Sequence, residues 1–323
     1  MLAAQIVYSF YLRMLAVPLI SILFLVKWKR SRILTNARLC GIAPTPLFFL
    51  RFYQSATLDL LMLLHGKYVR PFQIRTRDES KIQALRSGPG LFLSAHFHNW
   101  ELMGSWLTTQ QGIPLLSAAL PLKHPASQLG LEWIRKRTRV PVVSQAISRA
   151  ALRHLKSGKS FGMLWDQYAP RGEIVATLFG QSLRMDPLPS FLRLKTGAPV
   201  FFGMLLPGGH FRIVQISTGD RNLSRASSDR NLSHSSTLNS DSDQGSLDLS
   251  QGSSDSNQAS SLRLARRYHR VLEILIRAYP WCWYGFAHRR FKDQVAYEID
   301  GSVSRETPSR VSVLVSRETN FAP

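Results

Sequence analysis

The sequence contains few cysteines and few acidic residues for a chain of 323 residues. Its two cysteines, Cys40 and Cys282, are far apart and lack the spacing of metal ligands, so they predict neither a disulfide framework nor a zinc ribbon. A reducing, cytosol-facing location fits this content best. Against 20 Asp and Glu there are 41 Lys and Arg, which gives a formal net charge of +21. Such a charge indicates an anionic partner: nucleic acid, an anionic membrane, or an acidic or phosphorylated ligand.

Several chemical motifs are absent as well. The sequence has no Gly-x-Gly-x-x-Gly and no phosphate-binding loop, which would indicate a nucleotide cofactor, and it has no Gly-x-Ser-x-Gly nucleophile elbow. Its histidines do not cluster as they do in a zinc site. We therefore expect neither a metal nor a cofactor. No nucleic-acid-binding motif is recognisable, so nucleic acid is not an expected partner. A basic membrane-associated protein that binds nucleic acid or anionic lipid remains the alternative from another functional class.

The apolar N-terminus lacks an uninterrupted run of the length that a bilayer requires. Residues 1–26 are mostly apolar, but Arg13 and Pro18 interrupt them, and spanning takes about 20 apolar residues. The basic cluster at 27–32 follows the apolar stretch, whereas in a signal peptide the charge precedes it. We predict that residues 1–26 form an uncleaved membrane anchor, single-pass or interfacial, with the following domain on the cytoplasmic side. A buried N-terminal pair of helices is the alternative.

Helix and strand patterns alternate along the central part of the chain. Short apolar strands are predicted at 91–95, 114–119, 140–143, 161–165 and 199–206, with helices between them. This alternation predicts an α/β fold with a mixed, mainly parallel sheet flanked by helices. In a parallel sheet, Asp166 and Gln167, which follow the strand at 161–165, would lie beside the end of the strand at 91–95.

A serine-rich segment interrupts this pattern. Residues 217–261 consist mainly of Ser, Asp, Asn, Gln and Gly with scattered Leu. Because such a composition buries too little apolar surface to offset the entropy of ordering, we predict a disordered insertion at 217–261. The insertion interrupts a domain that we predict to span residues 27–300. Residues 301–323 contain a repeated Val-Ser-Arg-Glu-Thr and are predicted to be a tail outside the fold.

The first of the predicted apolar strands leads to the strongest candidates for catalysis. His96 follows that strand, and Glu101 lies in the first turn of the next helix, where its carboxylate could reach the imidazole. A histidine supported by a carboxylate can deprotonate a hydroxyl for acyl transfer. Asn99 is placed to cap the helix. The same residues also fit a structural histidine at a strand end and a surface glutamate, so both interpretations stay open at this point.

Five blocks of the sequence, in matching order, resemble one enzyme family. Residues 95–102 resemble the His-x4-Asp/Glu motif of glycerolipid-type acyltransferases, in the His-Phe-Gly-Asn-Trp-Glu form of the lipid A biosynthesis acyltransferases, the late lauroyl and myristoyl transferases. The other blocks are residues 32–37, 162–167 with Phe179 and Gly180, 196–200, and Pro280-x-x-Trp283 with 288–292. Together they cover nearly the whole chain except the serine-rich segment and the tail. His98 stands where the family usually has glycine.

This resemblance implies an O-acyltransferase with a glycerolipid-acyltransferase-like fold. His96 would be the general base on an acceptor hydroxyl, and Glu101 would orient its imidazole. The implied substrate-binding residues are Asn99, Arg135, Arg137, Asp166, Gln167, His288, Arg289 and Arg290. Structural alternatives stay open for most of them: a solvated basic helix face for the first two arginines, pairing with the arginine-rich segment for Asp166 and Gln167, and a docked C-terminus for the last three residues.

The reaction implied is transfer of a fatty acyl group from acyl carrier protein to a hydroxyl of a phosphorylated glycolipid, a lipid A precursor. It would take place at the cytoplasmic face of the bacterial inner membrane. A strongly basic chain suits an acidic carrier protein and a phosphorylated acceptor in the membrane. The alternative within this chemistry is acylation of another glycolipid or of a lysophospholipid, with acyl-CoA or acyl carrier protein as donor.

Overall fold

A computed structural model describes residues 2–64, 74–122, 124–170, 172–216, 249–288 and 291, with the backbone alone at 2–10, 126–127, 137 and 249–255. The helices are α1 (Leu2–Leu25), α2 (Arg30–Leu39), α3 (Pro46–Leu64), α4 (Glu79–Ser87), α5 (Trp100–Thr109), α6 (Pro125–Thr138), α7 (Ile147–Lys156), α8 (Leu188–Thr196) and α9 (Leu249–Ala278). Two 3-10 helices, Pro280–Cys282 and Tyr284–Ala287, follow α9.

The strands form one large sheet and one hairpin. They are β1 (Arg75–Thr76), β2 (Leu91–Ser94), β3 (Leu115–Ala118), β4 (Val142–Val143), β5 (Ser160–Leu164), β6 (Ile174–Leu178), β7 (Gln181–Met185), β8 (Val200–Leu206) and β9 (His210–Gln215). The seven-stranded sheet has the order β1-β9-β8-β2-β5-β3-β4, and all its neighbours are parallel except β8 and β9. This confirms the predicted mixed, mainly parallel α/β fold. The antiparallel β6–β7 hairpin is separate and was not predicted.

The central strands are buried because helices cover both faces of the sheet. Successive side chains of β2 point to opposite faces: Leu91 and Leu93 join the core cluster that includes residues of α3, α8 and α9, and Phe92 joins the cluster of α4 and α5. All seven residues of β8 are buried. Near-continuous apolar runs are typical of strands covered on both sides, and this explains why these two strands were readily predicted.

The predicted anchor at 1–26 is helical and packs along a second apolar helix. Leu12 and Ala16 of α1 form a small buried cluster with Leu61 and Met62 of α3. Among the described helices, α3 is by length and composition the one able to cross a membrane, and 44% of its apolar window is buried. Residues 11–25 pass the same test only together with α2, to which they are bent by 84°. Since core helices of soluble proteins can have this length and composition, the anchor stays a prediction.

Helix α9 begins inside the segment that was predicted to be disordered. It starts at Leu249, so the prediction of disorder was wrong for residues 249–261. Ser260 is buried, and its hydroxyl accepts a hydrogen bond of 3.1 Å from Arg193 of α8. Among residues 256–261, the buried side chain is that of Ser260, which is small and polar, so a composition poor in large apolar residues did not indicate the helix. Residues 217–248 and the predicted tail at 301–323 lie outside the described residues.

Candidate active site

His96 and Asp166 lie at the carboxyl ends of two neighbouring parallel strands, β2 and β5. Nδ1 of His96 is 2.7 Å from Oδ1 of Asp166, and the backbone N–H of His96 donates to Oδ2 at 3.1 Å. The indole N–H of Trp283 donates to the same Oδ2 at 2.9 Å. Because the Asp166 side chain is fully buried, these donors replace its hydration. A buried carboxylate at Nδ1 favours the tautomer protonated there and leaves the lone pair on Nε2, as a general base requires.

Gln167 covers the other nitrogen of the same imidazole. Its side-chain Nε2 lies 3.0 Å from Nε2 of His96. An amide nitrogen can only donate, so this contact fits the tautomer in which Nε2 of His96 is unprotonated. The side chain of Gln167 is exposed. It therefore occupies the place that an incoming hydroxyl would take at the lone pair of His96.

A segment near the C-terminal end of the described chain closes the site. Phe97 and Trp283 form an isolated antiparallel bridge, and the backbone N–H of Tyr284 donates to the carbonyl of His96 at 2.8 Å. The main chain on both sides of the candidate base is thus held by residues that are very distant in sequence. The Pro280-x-x-Trp283 block therefore contacts the loop that carries His96.

Two further rings and one buried amide belong to this arrangement. The imidazole of His96 lies edge-on to Trp100, with ring centroids 5.1 Å apart, and is tilted against His288 at 5.3 Å. Asn36 of α2 donates to the carbonyls of Phe286 and His288 at 2.8 and 2.9 Å. Asn36, which belongs to the matching block at residues 32–37, therefore fixes the segment that carries His288 beside the base.

The central part of the chain, from within α3 to β8, matches a known family. Residues 60–204 match the model described as bacterial lipid A biosynthesis acyltransferase. Over these residues the chain is similar to that family. The match includes His96, Asp166 and both strands that position them. A search of curated proteins found no match to the chain.

Glu101 is placed differently from our prediction. We expected it to orient His96, but the carboxylate that hydrogen-bonds the ring at Nδ1 is that of Asp166. Glu101 instead pairs with Arg135 of α6, with 3.8 Å between Oε1 and Nη2. Burial raises the pKa of Glu101, and the positive charges of Arg135 and His96 oppose this shift. Glu101 therefore lies near enough to act on His96 through its charge, while Asp166 holds the position of the orienting partner.

A cavity adjoins the Glu101–Arg135 pair. It measures about 400 Å³ and lies where β3, β4 and α6 meet. Its lining residues are Ala119, Pro121, Gln128, Glu132, Arg135, Lys136, Val140, Val142 and Ser144. Nε of Arg135 is buried and makes no hydrogen bond among the described atoms. The cavity is lined by two cationic side chains, Arg135 and Lys136, and by one carboxylate, Glu132, so it suits an anionic group.

Asn99 has the structural role that its position predicted. Its Oδ1 accepts the backbone N–H of Leu102 at 3.1 Å, which caps α5, and its Nδ2 donates to the main-chain carbonyl of Asp59 at 3.2 Å. The residue is 1% exposed. Since both ends of the amide are used inside the protein, the structure gives no support to the substrate contact that we had also assigned to Asn99.

Some predicted site residues cannot be located from the structure. The backbone of Arg137 lies in α6, but its side chain is outside the described atoms, and so are Arg289 and Arg290 entirely. Within the described part of the chain, His, Cys, Asp and Glu side chains do not come together in groups of three or more that could hold a metal ion.

Two residues contribute to the site in ways that were not predicted from the sequence. Trp283 was quoted as part of a motif, but nothing in the sequence indicates that its indole N–H reaches Asp166. Asn36 was likewise quoted without a role, although it anchors the segment around His288. Both act across long separations in sequence. No local pattern in the sequence indicates either contact.

Proposed function

We propose that this acyltransferase transfers a fatty acyl group from acyl carrier protein to a hydroxyl of a lipid A precursor. The observation that carries the proposal is the imidazole of His96, held at Nδ1 by the buried carboxylate of Asp166 and covered at Nε2 by the exposed Gln167. This arrangement lies within the part of the chain that matches the lipid A acyltransferase family. It supports a base that removes a proton from a hydroxyl which has displaced Gln167.

In the proposed reaction, Nε2 of His96 takes the hydroxyl proton while the acceptor oxygen attacks the thioester carbonyl. A carbon–oxygen bond forms, the tetrahedral intermediate collapses, and the carbon–sulfur bond breaks. The imidazolium returns its proton to the departing thiolate of the carrier, so no covalent enzyme intermediate is needed. Asp166 stabilises the imidazolium by its charge and its hydrogen bond. The negative charge of Glu101 adds to this stabilisation in the fraction of molecules where the carboxyl is ionised.

The cavity beside α6 is the proposed site for a phosphate of the acceptor. A phosphate there would bind the guanidinium of Arg135 and the ammonium of Lys136. Glu101 pairs with the guanidinium of Arg135, which lines the cavity. Arg137, on the same helix, and His288, beside His96, are proposed as further contacts to the acceptor. Arg289 and Arg290 belong to the same proposal from sequence alone.

Apolar side chains on the surface support a membrane location. Large apolar residues are exposed on α1, on α3 and around α6: Met14, Val17, Ile22, Leu25, Leu47, Leu50, Leu60, Leu120, Leu122, Leu129 and Trp133. A basic cluster with a partly exposed Trp28 follows α1. Apolar surface with flanking basic residues suits a bilayer that contains anionic lipid. We propose that this side faces the inner membrane from the cytoplasm, either as a single-pass or as an interfacial anchor.

Mass spectrometry of lipids tests the proposal directly. A bacterial strain from which the gene has been deleted is complemented with the parent protein or with His96→Ala, and membrane fractions are checked for equal amounts of both. The parent should add one acyl mass to a lipid A precursor, whereas His96→Ala should add none. Full activity of His96→Ala would refute the proposal. An acyl mass that appears instead on another glycolipid or on a lysophospholipid would select the alternative acceptor.

The donor is tested with the purified protein. Transfer of a labelled acyl group is measured from acyl carrier protein and, in parallel, from acyl-CoA, with the acceptor lipid held constant. We expect the carrier protein to be preferred because the basic chain attracts an acidic partner. A clear preference for acyl-CoA would contradict this part of the proposal.

A further inference from the structure

His98, two residues beyond the candidate base, has a backbone conformation that favours glycine. Its φ of 43° lies in the left-handed region, where the Cβ of most residues is crowded by the neighbouring main chain. A strained non-glycine residue persists where its side chain makes compensating contacts. The contacts of the His98 imidazole are therefore informative.

The imidazole of His98 is paired with a buried carboxylate. Its Nδ1 lies 3.0 Å and 3.1 Å from the two side-chain oxygens of Asp59, the acidic residue of the otherwise largely apolar α3. The hydroxyl of Tyr284 donates to the same carboxylate. Burial and the charge of Asp59 raise the pKa of Tyr284 well above its usual value, so this hydroxyl keeps its proton and remains a donor. Asp59 therefore joins α3 to the loop after β2 and to the 3-10 segment.

The same residues hold the main chain around the candidate base. The backbone N–H of His98 donates to the carbonyl of Cys282 at 2.8 Å, and that of Tyr284 donates to the carbonyl of His96 at 2.8 Å. Asp59 therefore contacts the side chains of His98 and Tyr284. The main-chain N–H groups of these two residues make the hydrogen bonds that hold the loop around His96. A shift of either side chain would be passed to His96 through these two backbone hydrogen bonds.

We propose that His98 and Asp59 form a positioning pair that sets the orientation of His96. The pair does not touch the reacting atoms. It acts by holding the loop 96–99 against α3 and the segment 282–284, and its attraction compensates for the strained backbone of His98. This inference rests on the proposed function where catalysis is its readout, and it has a second readout that needs no substrate.

Two substitutions at one position separate the pairing from the backbone strain. His98→Gly removes the imidazole and suits a φ of 43°. His98→Asn also tolerates positive φ, and its Nδ2 is bonded to Cγ as Nδ1 of histidine is, so it keeps a donor next to Asp59. We expect His98→Gly to lower kcat by about tenfold with KM for both substrates within about twofold, since a small displacement of a base reduces the rate of chemistry. His98→Asn should keep at least about half of the parent kcat because it restores the contact.

The coupling of the two residues is measured with a third variant and the double variant. Asp59→Asn removes the charge with little change of shape. If the pair acts as a unit, His98→Gly combined with Asp59→Asn should lose no more kcat than the worse single variant. Equal kcat of His98→Gly and the parent would overturn the proposal, as would equal losses in His98→Gly and His98→Asn, or fully additive losses in the double variant.

Amide hydrogen exchange gives the readout that is independent of acyl transfer. The amides at positions 98 and 284 should exchange at least about tenfold faster in His98→Gly than in the parent, and His98→Asn should resemble the parent. Amides in the middle of α9 serve as the control and should be unchanged. If the parent transfers no acyl group, the proposed function fails, and the exchange rates still decide the pairing. Unchanged exchange at both positions in His98→Gly would refute it.

Discussion

The substitution Asp166→Asn tests the proposed base most directly. The Asp166 carboxylate accepts hydrogen bonds at both oxygens: at Oδ1 from Nδ1 of His96, and at Oδ2 from the backbone of His96 and the indole of Trp283. In asparagine, an NH₂ group replaces one of these two oxygens. The side chain is fully buried, so water cannot compensate for a wrong choice.

The two orientations of the substituted asparagine differ in free energy. With its NH₂ at the position of Oδ2, two buried N–H donors lose their acceptor, at a cost of about 1–3 kcal/mol each. With its NH₂ at the position of Oδ1, both of those donors stay satisfied, and the imidazole only needs to carry its proton on Nε2. The second orientation is therefore preferred. In it, the nitrogen that should act as base is protonated, and the carboxylate charge that would stabilise the imidazolium is gone.

We therefore expect the Asp166→Asn protein to fold and to be nearly inactive. The loss of kcat should be about 10³–10⁴-fold, equivalent to about 4–5.5 kcal/mol of transition-state stabilisation. Single-turnover transfer from labelled acyl carrier protein measures this, and thermal unfolding monitors the fold. Glu101→Gln is the control and should lose less, because Glu101 contacts Arg135 and not the imidazole nitrogen. A kcat of Asp166→Asn within about tenfold of the parent would refute the assignment of Asp166.

Two predictions concern stability. Because burial raises the pKa of Glu101 above 4.5 despite the charges of Arg135 and His96, the folded state favours the neutral carboxyl. The parent should thus lose stability relative to Glu101→Gln as the pH rises from 4.5 through the raised pKa. Urea unfolding of both proteins between about pH 4 and 8 measures the difference between their free energies of unfolding. A difference that does not change with pH would contradict the prediction. Asn99→Ala removes the cap of α5 and should cost about 1–2 kcal/mol in urea unfolding. The exposed Thr109→Ala in the same helix should cost less than about 0.5 kcal/mol, and equal losses would contradict the cap.

Much of the fold followed from local patterns in the sequence. The predicted strands at 91–95 and 161–165 differ from β2 and β5 by one residue at their ends, because apolar runs bounded by Gly or a turn leave little choice. The β6–β7 hairpin was missed although Ile174, Ala176 and Leu178 alternate with exposed residues. Its alternation was a readable signal of a strand with one buried face. The hairpin was missed because neither of its strands is a continuous apolar run.

Contacts between distant segments could not be predicted in the same way. The bridge between Phe97 and Trp283 and the hydrogen bond from Trp283 to Asp166 depend on how α9 returns the chain to the sheet. No periodicity in the sequence describes that return. The same limit applies to the pairing of His98 with Asp59, since an acidic residue in an apolar helix indicates that a partner exists without saying where the partner lies.

The pairing of His96 with Asp166, and not with Glu101, follows from the register of the sheet. Ser94 of β2 is opposite Leu164 of β5, and the two residues that pair lie two positions beyond these, at 96 and 166. When two adjacent parallel strands end in register, the residues that follow them lie close together, however far apart they are in sequence. Glu101 is close in sequence but is carried by α5 towards Arg135 of α6. The prediction of a parallel sheet already placed Asp166 beside the end of the strand at 91–95. No local pattern indicated that the carboxylate of Asp166, and not that of Glu101, hydrogen-bonds Nδ1 of His96.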